Sequence, residues 1–535
     1  SGPNPGSYNI PGGEARTFTW RYAATGTGTM HFTATAQGID ANQGTAVSSA
    51  SEGSNLITIL SPSPNFAAAI SLSRQVVSTG QQLTVIMTVT NTGLINGYTS
   101  VYYTSVSYAA GGASVNALTS PSSGITINAS GGVGYLTWTY SANGAGTLNF
   151  SGQAISYDGI GSTATASSSN LIIQTPSDLT AYFQTLPLSV NAGQLLTVVM
   201  VVSNNGGAAA TNVRVNEDVI GTYLTKIGTA DVTLVSGPSP VTQLVSGGGT
   251  GYFTFVYNPT LSGSLAFQGF VYGYDINTGL QKDSNTAQTN TIQVQSPVSL
   301  IAQFNGLPSA INLGRTFNVY FSVTNSGQSQ ASNVRPDPAA GTNSIARIGT
   351  GSSLYVSGPT PGPQTLSGGY SSLFSWTYSA AGTGSMYFST RATGRDDNNL
   401  QTVYSSSKSS NWILIQKEAT LVSWMSVSPT VVSEGGLITV VMSVSNDNQG
   451  GAAAMNVSPT VMKTGGTGAA SLYSAPAPLT VTSIPGSGIH NFTWVYTATT
   501  AGSVWFSNNA TGADANDIPQ RLVTSNETCT SAVTI

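Results

Sequence analysis

Apolar and polar residues alternate with period two along much of this chain. In the stretch Phe18–Phe32, Phe18, Trp20 and Tyr22 alternate with Thr19 and Arg21. Successive side chains on a strand point to opposite faces, so the three rings share one face. Gly26 and Gly28 follow, and a second short strand runs to Phe32. The pattern predicts a hairpin that plants aromatics in a core. It returns as Leu136-Trp138-Tyr140 leading to Phe150, as Phe253-Phe255-Tyr257 leading to Phe267, as Phe374-Trp376-Tyr378 leading to Phe388, and as Phe492-Trp494-Tyr496 leading to Phe506. The central aromatics stand 117 to 121 residues apart. A period this long predicts an array of whole domains, not a solenoid of small repeats.

A second signal precedes the aromatic pattern in every copy but the first. It reads LTVIMTVTNTG (Leu83 to Gly93), LTVVMVVSNNG (Leu196 to Gly206), FNVYFSVTNSG (Phe317 to Gly327) and ITVVMSVSNDN (Ile438 to Asn448). A β-branched run closed by Asn and Gly predicts a strand and a turn. Residues 1–62 lack it and read as the second half of a repeat. Full repeats follow at 63–176, 177–297, 298–417 and 418–535. The seams are short: Pro62-Ser63-Pro64, Pro176-Ser177, Pro297-Val298 and, without proline, Lys417-Glu418. Short proline-containing seams favour a semi-rigid string.

Each full repeat shows seven or eight short strands between turn signals, and no window holds a helical period. That predicts an all-β chain of immunoglobulin-like β-sandwiches arranged as a rod. The Cys…Trp…Cys spacing of antibody domains is missing. At about 35–40 Å per domain the rod would be about 160 Å long.

Composition sharpens this picture. Charged residues make up only 6% of the 535 residues, and the net charge is −4. An ordinary soluble protein carries about 25%. There is no basic footprint for nucleic acid and no apolar run long enough to span a membrane. No signal-peptide pattern follows Ser1, so an exported form would be mature or trimmed. Cys529 is the only cysteine, which excludes an intrachain disulfide; it remains open to an intermolecular one.

The paired V-x-N-x-G and F-x-W-x-Y signals, in repeats of this length, resemble the tandem Ig-like domains of prokaryotic surface proteins. The nearest type is the cell-adhesion-related bacterial (CARDB-like) repeat. The resemblance covers the whole chain, with the first copy halved. It implies an extracellular or cell-surface setting among stalks, adhesins, S-layers and filaments, and it brings no catalytic residues.

Each aromatic pattern is followed by an acidic loop: Asp40-Ala-Asn42, Asp158-Gly-Ile-Gly161, Asp275-Ile-Asn277, Asp396-Asp397-Asn398-Asn399 and Asp514-Ala-Asn516-Asp517. Such spacing can ring Ca²⁺ with oxygens, and Asp396, Asp397, Asn398, Asp514, Asn516 and Asp517 are the better candidates. The simpler reading is a hairpin loop whose Asx side chains bond their own backbone. Sequons at Asn128, Asn149, Asn491, Asn509 and Asn526 are glycosylation candidates, as chance is in a Ser/Thr-rich chain; a sixth at Asn456 is followed by Pro459. The two histidines, His31 and His490, are far apart, and no zinc, nucleophile-elbow or Walker motif is present. Lysine is absent before Lys226, so Lys–Asn isopeptide bonds cannot form in the first two copies.

These features point to a structural subunit of an extracellular filament or surface array. An adhesin gripping glycans or another cell is the alternative, and an enzyme stalk without its catalytic domain a third. In residues 1–62, Phe18, Trp20, Tyr22 and Phe32 would be left uncovered on one face. An upstream half supplied by the native chain, packing as a cap on the next domain, or completion by a neighbouring copy head-to-tail would each cover them.

Acid denaturation works chiefly through carboxylates paired in the native state. With only 19 Asp and Glu, the melting temperature should depend weakly on pH. A drop of tens of degrees between about pH 7 and pH 3 would refute this.

Overall fold

The computed structural model describes residues 1–60, 64–94, 96–99, 107–121, 124–156, 165–218, 221–337 and 345–535. Every named element is a β-strand. Strand pairing stays within each repeat, and each full repeat has its own hydrophobic core. The chain is a tandem series of Ig-like β-sandwiches.

The unit 177–297 shows the plan. One sheet sets Leu179–Phe183 beside Leu196–Asn204, then Thr250–Pro259, then Val232–Ser239. The opposite layer is made of two smaller sheets. One pairs Gly263–Gly269 with Ile292–Gln295, and Ile292–Gln295 with Ser189–Asn191 in parallel. The other pairs Ala210–Val215 with Val271–Asp275, and Val271–Asp275 with Gln281–Asp283. Thirteen strand segments occupy the described residues of this unit, against the seven or eight expected. The excess arises because the chain changes partners part-way. Gly263–Gly269 and Val271–Asp275 are separated only by Phe270, yet they belong to different sheets.

The aromatic motif is not a hairpin. Its two strands lie in opposite layers, so the connection is an arch over the core. Thr250–Pro259 carries Phe253, Phe255 and Tyr257 inward from one layer, and Gly263–Gly269 carries Phe267 inward from the other. The rings meet at the arch: Tyr257–Phe267 centroids are 4.4 Å apart, Tyr378–Phe388 4.8 Å, Tyr496–Phe506 4.6 Å and Tyr140–Phe150 5.0 Å. A glycine turns every corner, at Gly28, Gly146, Gly263, Gly384 and Gly502, with φ between 131° and 150°. That region suits glycine alone. Burial pushes the Tyr257 hydroxyl up to about 12 and raises Tyr378 and Tyr496, so these rings stay neutral in ordinary buffers.

The Asn of V-x-N-x-G is a buried four-way pin. Asn204 Oδ1 accepts from Asp178 N–H (3.0 Å) and Gly206 N–H (3.1 Å). Its Nδ2 donates to Ala208 O (2.8 Å) and Val245 O (3.2 Å). Asn325 repeats all four bonds. The glycine two residues on is demanded by the seam. A Cβ at Gly206 would lie 2.0 Å from Pro176 O, and one at Gly327 2.0 Å from Pro297 O. In the last unit Asn448 replaces that glycine, and there the seam has no proline.

Residues 1–60 form only part of a sandwich. Gly28–Met30 pairs with Ile57–Ile59, Thr33–Ala34 with Glu52–Gly53, and Gln37–Ile39 with Ala46–Ser48. The first five residues, SGPNP, match SGPSP at Ser236–Pro240 and SGPTP at Ser357–Pro361. They also sit alike, since Asn4 bridges Thr19 as Ser239 pairs with Thr254. Trp20 is 43% and Tyr22 67% exposed, whereas Trp376 is 1% exposed. Phe18 and Phe32 are half-buried, Phe18 against Tyr8 and Phe32 stacked on Tyr22. The uncovered face is therefore narrower than the four rings expected, because the chain before Thr19 folds over part of it.

Trp376→Ala should cost its unit about 3–5 kcal/mol, the range for large core truncations. Scanning calorimetry should show one transition moving down while those of the other units stay. A uniform shift of every transition would contradict separate cores.

Candidate functional site

Three of the acidic loops, those of Asp275, Asp396 and Asp514, lie at the seams between units. Two are hairpin turns closed by the aspartate carbonyl: Gly279 N–H donates to Asp275 O (2.8 Å), and Leu400 N–H to Asp396 O (2.8 Å); in the third, Asp514 N–H donates to Arg521 O (3.0 Å). The aspartate side chain then turns inward. Asp275, Asp396 and Asp514 are each at most 1% exposed. A charge this buried is costly unless hydrogen bonds surround it.

At Asp396 four donors do so. Oδ1 accepts from Ser329 Oγ (2.7 Å) and Asn398 N–H (3.0 Å). Oδ2 accepts from Val298 N–H, the first amide of the unit (2.9 Å), and from Asn191 Nδ2 of the preceding unit (2.8 Å). An ionised carboxylate offers about four acceptor positions, and all are filled. Asp514 accepts from Ala419 N–H (2.7 Å), Asn516 N–H (2.8 Å) and Asn312 Nδ2 (2.8 Å). Asp275 accepts from Ser177 N–H (2.7 Å), Thr278 N–H (2.8 Å) and, across the seam, Ser78 Oγ (3.3 Å).

The asparagine two residues on completes the clasp. Asn398 Nδ2 donates to Asn191 Oδ1 (2.8 Å) and Gln295 Oε1 (2.9 Å). Asn277 donates to Ser78 Oγ (3.1 Å) and Gln174 Oε1 (2.9 Å). Asn516 donates to Asn312 Oδ1 and Gln416 Oε1, both at 3.1 Å. The glutamine closes the last strand of one unit. Its amide reaches on to the N-x-G turn of the next: Gln174 Nε2 donates to Gly207 O (3.0 Å), Gln295 Nε2 to Gln328 O (3.3 Å) and Gln416 Nε2 to Gly451 O (3.1 Å).

Three seams thus share one device, an Asp-x-Asn loop gripping a Ser/Asn and a Gln of the unit before it. The third adds ions. Arg315 pairs with Asp517 (3.1 Å) and Glu418 (3.5 Å), and Arg521 contacts both acids.

Both sequence readings of these loops can be placed. The Asx turns are present. Of the residues offered to calcium, Asp396, Asn398, Asp514 and Asn516 form the clasps. Asp397 is exposed and bonded to Ser332 Oγ, and Asp517 is held by Arg315. Among the described residues no group of three or more His, Cys, Asp or Glu could hold a metal. The Asp158 loop and Pro62 and Ser63 of the first seam fall outside the described residues. Sequence reading missed Ser78, Asn191, Asn312, Gln174, Gln295 and Gln416. Their signal was a glutamine recurring at the end of the last apolar run before each of these seams, in LIIQ, IQVQ and ILIQ.

Burial alone would raise the Asp396 and Asp275 carboxyls. The hydrogen bonds, led by Val298 N–H and Ser177 N–H, outweigh it and hold both below the ordinary aspartate value. Stabilisation from a depressed carboxyl is complete above its unfolded-state value and is lost as pH falls through the folded one. The clasps at Asp275 and Asp396 should therefore hold from neutral pH down to about pH 4 and weaken below it.

The remaining candidates are scattered. Asn128 and Asn491 are exposed, and Asn149 is half-buried. Asn509 Oδ1 accepts from Thr460 Oγ1 (2.5 Å). Asn526 bonds the backbone of Ser423 at both ends of its amide, at 2.8 and 2.9 Å. His31 is exposed, His490 lies 4.8 Å edge-on to Phe492, and Cys529 is exposed. No helix among the described residues is long and apolar enough to cross a membrane.

No family model matches the chain, and no curated protein matches it. Solved structures do. FdeC, an Escherichia coli adhesin, is 16% identical over 65% of this chain and 97% of its own, at a TM-score of 0.29. The N-terminal eight Ig domains of Down syndrome cell adhesion molecule are 10% identical, covering 95% of this chain and 59% of that one, at 0.20. The Yersinia pseudotuberculosis adhesin InvE is 13% identical over 43% and 60%, at 0.16. These similar structures are adhesins and Ig-domain proteins, which are non-enzymatic kinds of protein. Scores this low carry no argument, and the fold stands on its own strand pairing.

Asp396→Asn should cost about 2–4 kcal/mol, since it removes a charged acceptor and leaves buried donors unpaired. Limited proteolysis should show faster cutting near residues 297–298. Asp397→Asn, on the exposed neighbour, is the control. Equal effects of the two changes would refute the clasp.

Proposed function

We propose that the chain is a structural subunit of an extracellular filament or cell-surface array, of the CARDB-like kind in its repeats. The observation that carries this is the clasp repeated at three seams. Buried polar groups are costly to place, and here they bond three units each to the one before it. The same reading makes the chain non-catalytic, places it outside the cell, and gives it copies of itself, head-to-tail, as principal partners.

The exposed rings Trp20 and Tyr22, beside half-buried Phe18 and Phe32, support an assembly role for residues 1–62. Burying such side chains is worth about 1.5–3 kcal/mol each. Glycans on the exposed Asn128 and Asn491 would suit an outer surface.

Adhesion to glycans is the second reading, and one observation favours it. Trp412, 57% exposed, stands edge-on to Tyr387 at 4.8 Å. A projecting aromatic pair of this kind can stack on sugar faces.

Negative-stain microscopy separates the two. The structural reading expects regular polymers of the full chain. It also expects a chain lacking residues 1–62 to keep four folded units and lose the polymers. Monomers at every concentration would favour adhesion. Normal assembly by the shortened chain would exclude residues 1–62 from the contact.

A further inference from the structure

The outer faces of the four-stranded sheets can be compared row by row across the units. In unit 177–297, Tyr182 stands opposite Val201, and Val201 opposite Tyr252. Both tyrosines are exposed, yet Val201 between them is only 1% exposed. Two rings thus flank and shield the middle strand. In unit 418–535 the same row reads Trp424, Ser443 and Asn491. Trp424 is 45% exposed, Ser443 is half-buried and Asn491 is exposed. An asparagine therefore stands where the second ring stood, and the indole has no counterpart across the strand.

That asparagine heads the sequon Asn491-Phe492-Thr493. Phe492 points into the core at 1% exposure, so Asn491 and Thr493 share the outer face, and both are exposed. No hydrogen bond among the described residues holds the Asn491 side chain. The other sequons lack this combination. Asn509 and Asn526 are tied by hydrogen bonds, and Asn149 is half-buried. Asn456 is followed by Pro459, and Ser130 of the Asn128 sequon sits in a turn at φ 58°. Ser443 stands just before Asn446, whose Oδ1 accepts from Thr420 N–H (3.0 Å) at the seam with the preceding unit. The exposure of Asn491 is thus set with that unit in place.

We propose that Asn491 carries an N-linked glycan whose first sugars cross Ser443 and lie on the indole of Trp424. This rests on the extracellular reading and names the site and its platform. Asn491 and Trp424 are two strands apart, about 10 Å at the usual strand spacing, which the first sugars of a chain can bridge. The negative face of an indole attracts the C–H face of a pyranose. Attachment is carried out by an external transferase from a glycosyl diphosphate donor. The Nδ2–C1 bond forms as the C1–O bond breaks, the diphosphate leaves with that electron pair, and the amide gives up one proton. The glycan then shields the middle strand as Tyr252 does in unit 177–297.

The test is glycopeptide mass spectrometry on the full-length chain from the cells that make it. The peptide holding Asn491 should carry hexose- or N-acetylhexosamine-sized increments. Thr493→Val should abolish them, and Thr493→Ser should keep them. A bare Asn491 on protein recovered from outside the cell overturns the site and leaves the extracellular reading standing. A bare Asn491 on protein that stays inside the cell overturns both. Calorimetry reads the platform. In the glycosylated chain Trp424→Ala should lower the transition of the last unit by about 3–8 °C, and in the Thr493→Val chain by clearly less. Equal shifts in the two backgrounds overturn the stacking on Trp424.

Discussion

The structure depends on one recurring problem in electrostatics, the burial of a single carboxylate at each of three seams. Taking an isolated charge out of water costs far more than one hydrogen bond returns. Asp396 is affordable only because three pieces of chain converge on it: its own loop, the entering strand at Val298, and Asn191 of the preceding unit. Withdrawing any one leaves a buried charge short of donors. The same group that closes a local turn therefore couples two domains, and the coupling comes from the cost of leaving it unmade.

Around that anion nearly everything is done with amides. With charges at 6% of residues, Asn and Gln take the work that ion pairs do elsewhere. An amide both donates and accepts, so it can stand in for a length of backbone. Asn285 does so beside Ala181, and Asn290 beside Leu186, each accepting from the backbone N–H and donating to the carbonyl. Neutral links are little affected by salt screening and do not titrate. The exception is the Arg315–Asp517–Arg521–Glu418 cluster, which lies at the seam lacking both proline and the N-x-G glycine. There ions accompany the loss of the close backbone approach that Gly206 and Gly327 permit.

How much of this the sequence disclosed follows from the range of each signal. Alternation is a property of one strand, and it placed Trp138, Trp376 and Trp494 in cores correctly. Whether two successive strands share a sheet is not local. Tyr378 and Phe388 read as one hairpin because sequence separation cannot tell a hairpin from an arch, although the positive-φ glycine before each Phe was a clue. The acidic loops were visible as turns. Their partners lie 98 to 205 residues away, at Ser177 and Val298 in the same unit and at Ser78 and Asn191 in the one before. No window along the chain contains both halves. Only comparison of one repeat with the next, Gln174 with Gln295 and Gln416, could have raised them.

Polarity is the last consequence of this arrangement. A contact between two like faces pairs a unit with one neighbour and stops. Here the gripping loop and the gripped edge are different surfaces of one unit, so units 177–297 and 298–417 each hold one neighbour and are held by another. The series within the chain already exploits this three times. Its direction is set by covalent order, since the linker amide at Ser177, Val298 or Ala419 is itself one of the donors to the aspartate. The grip at each of these three seams is therefore inseparable from the chain connection that it spans.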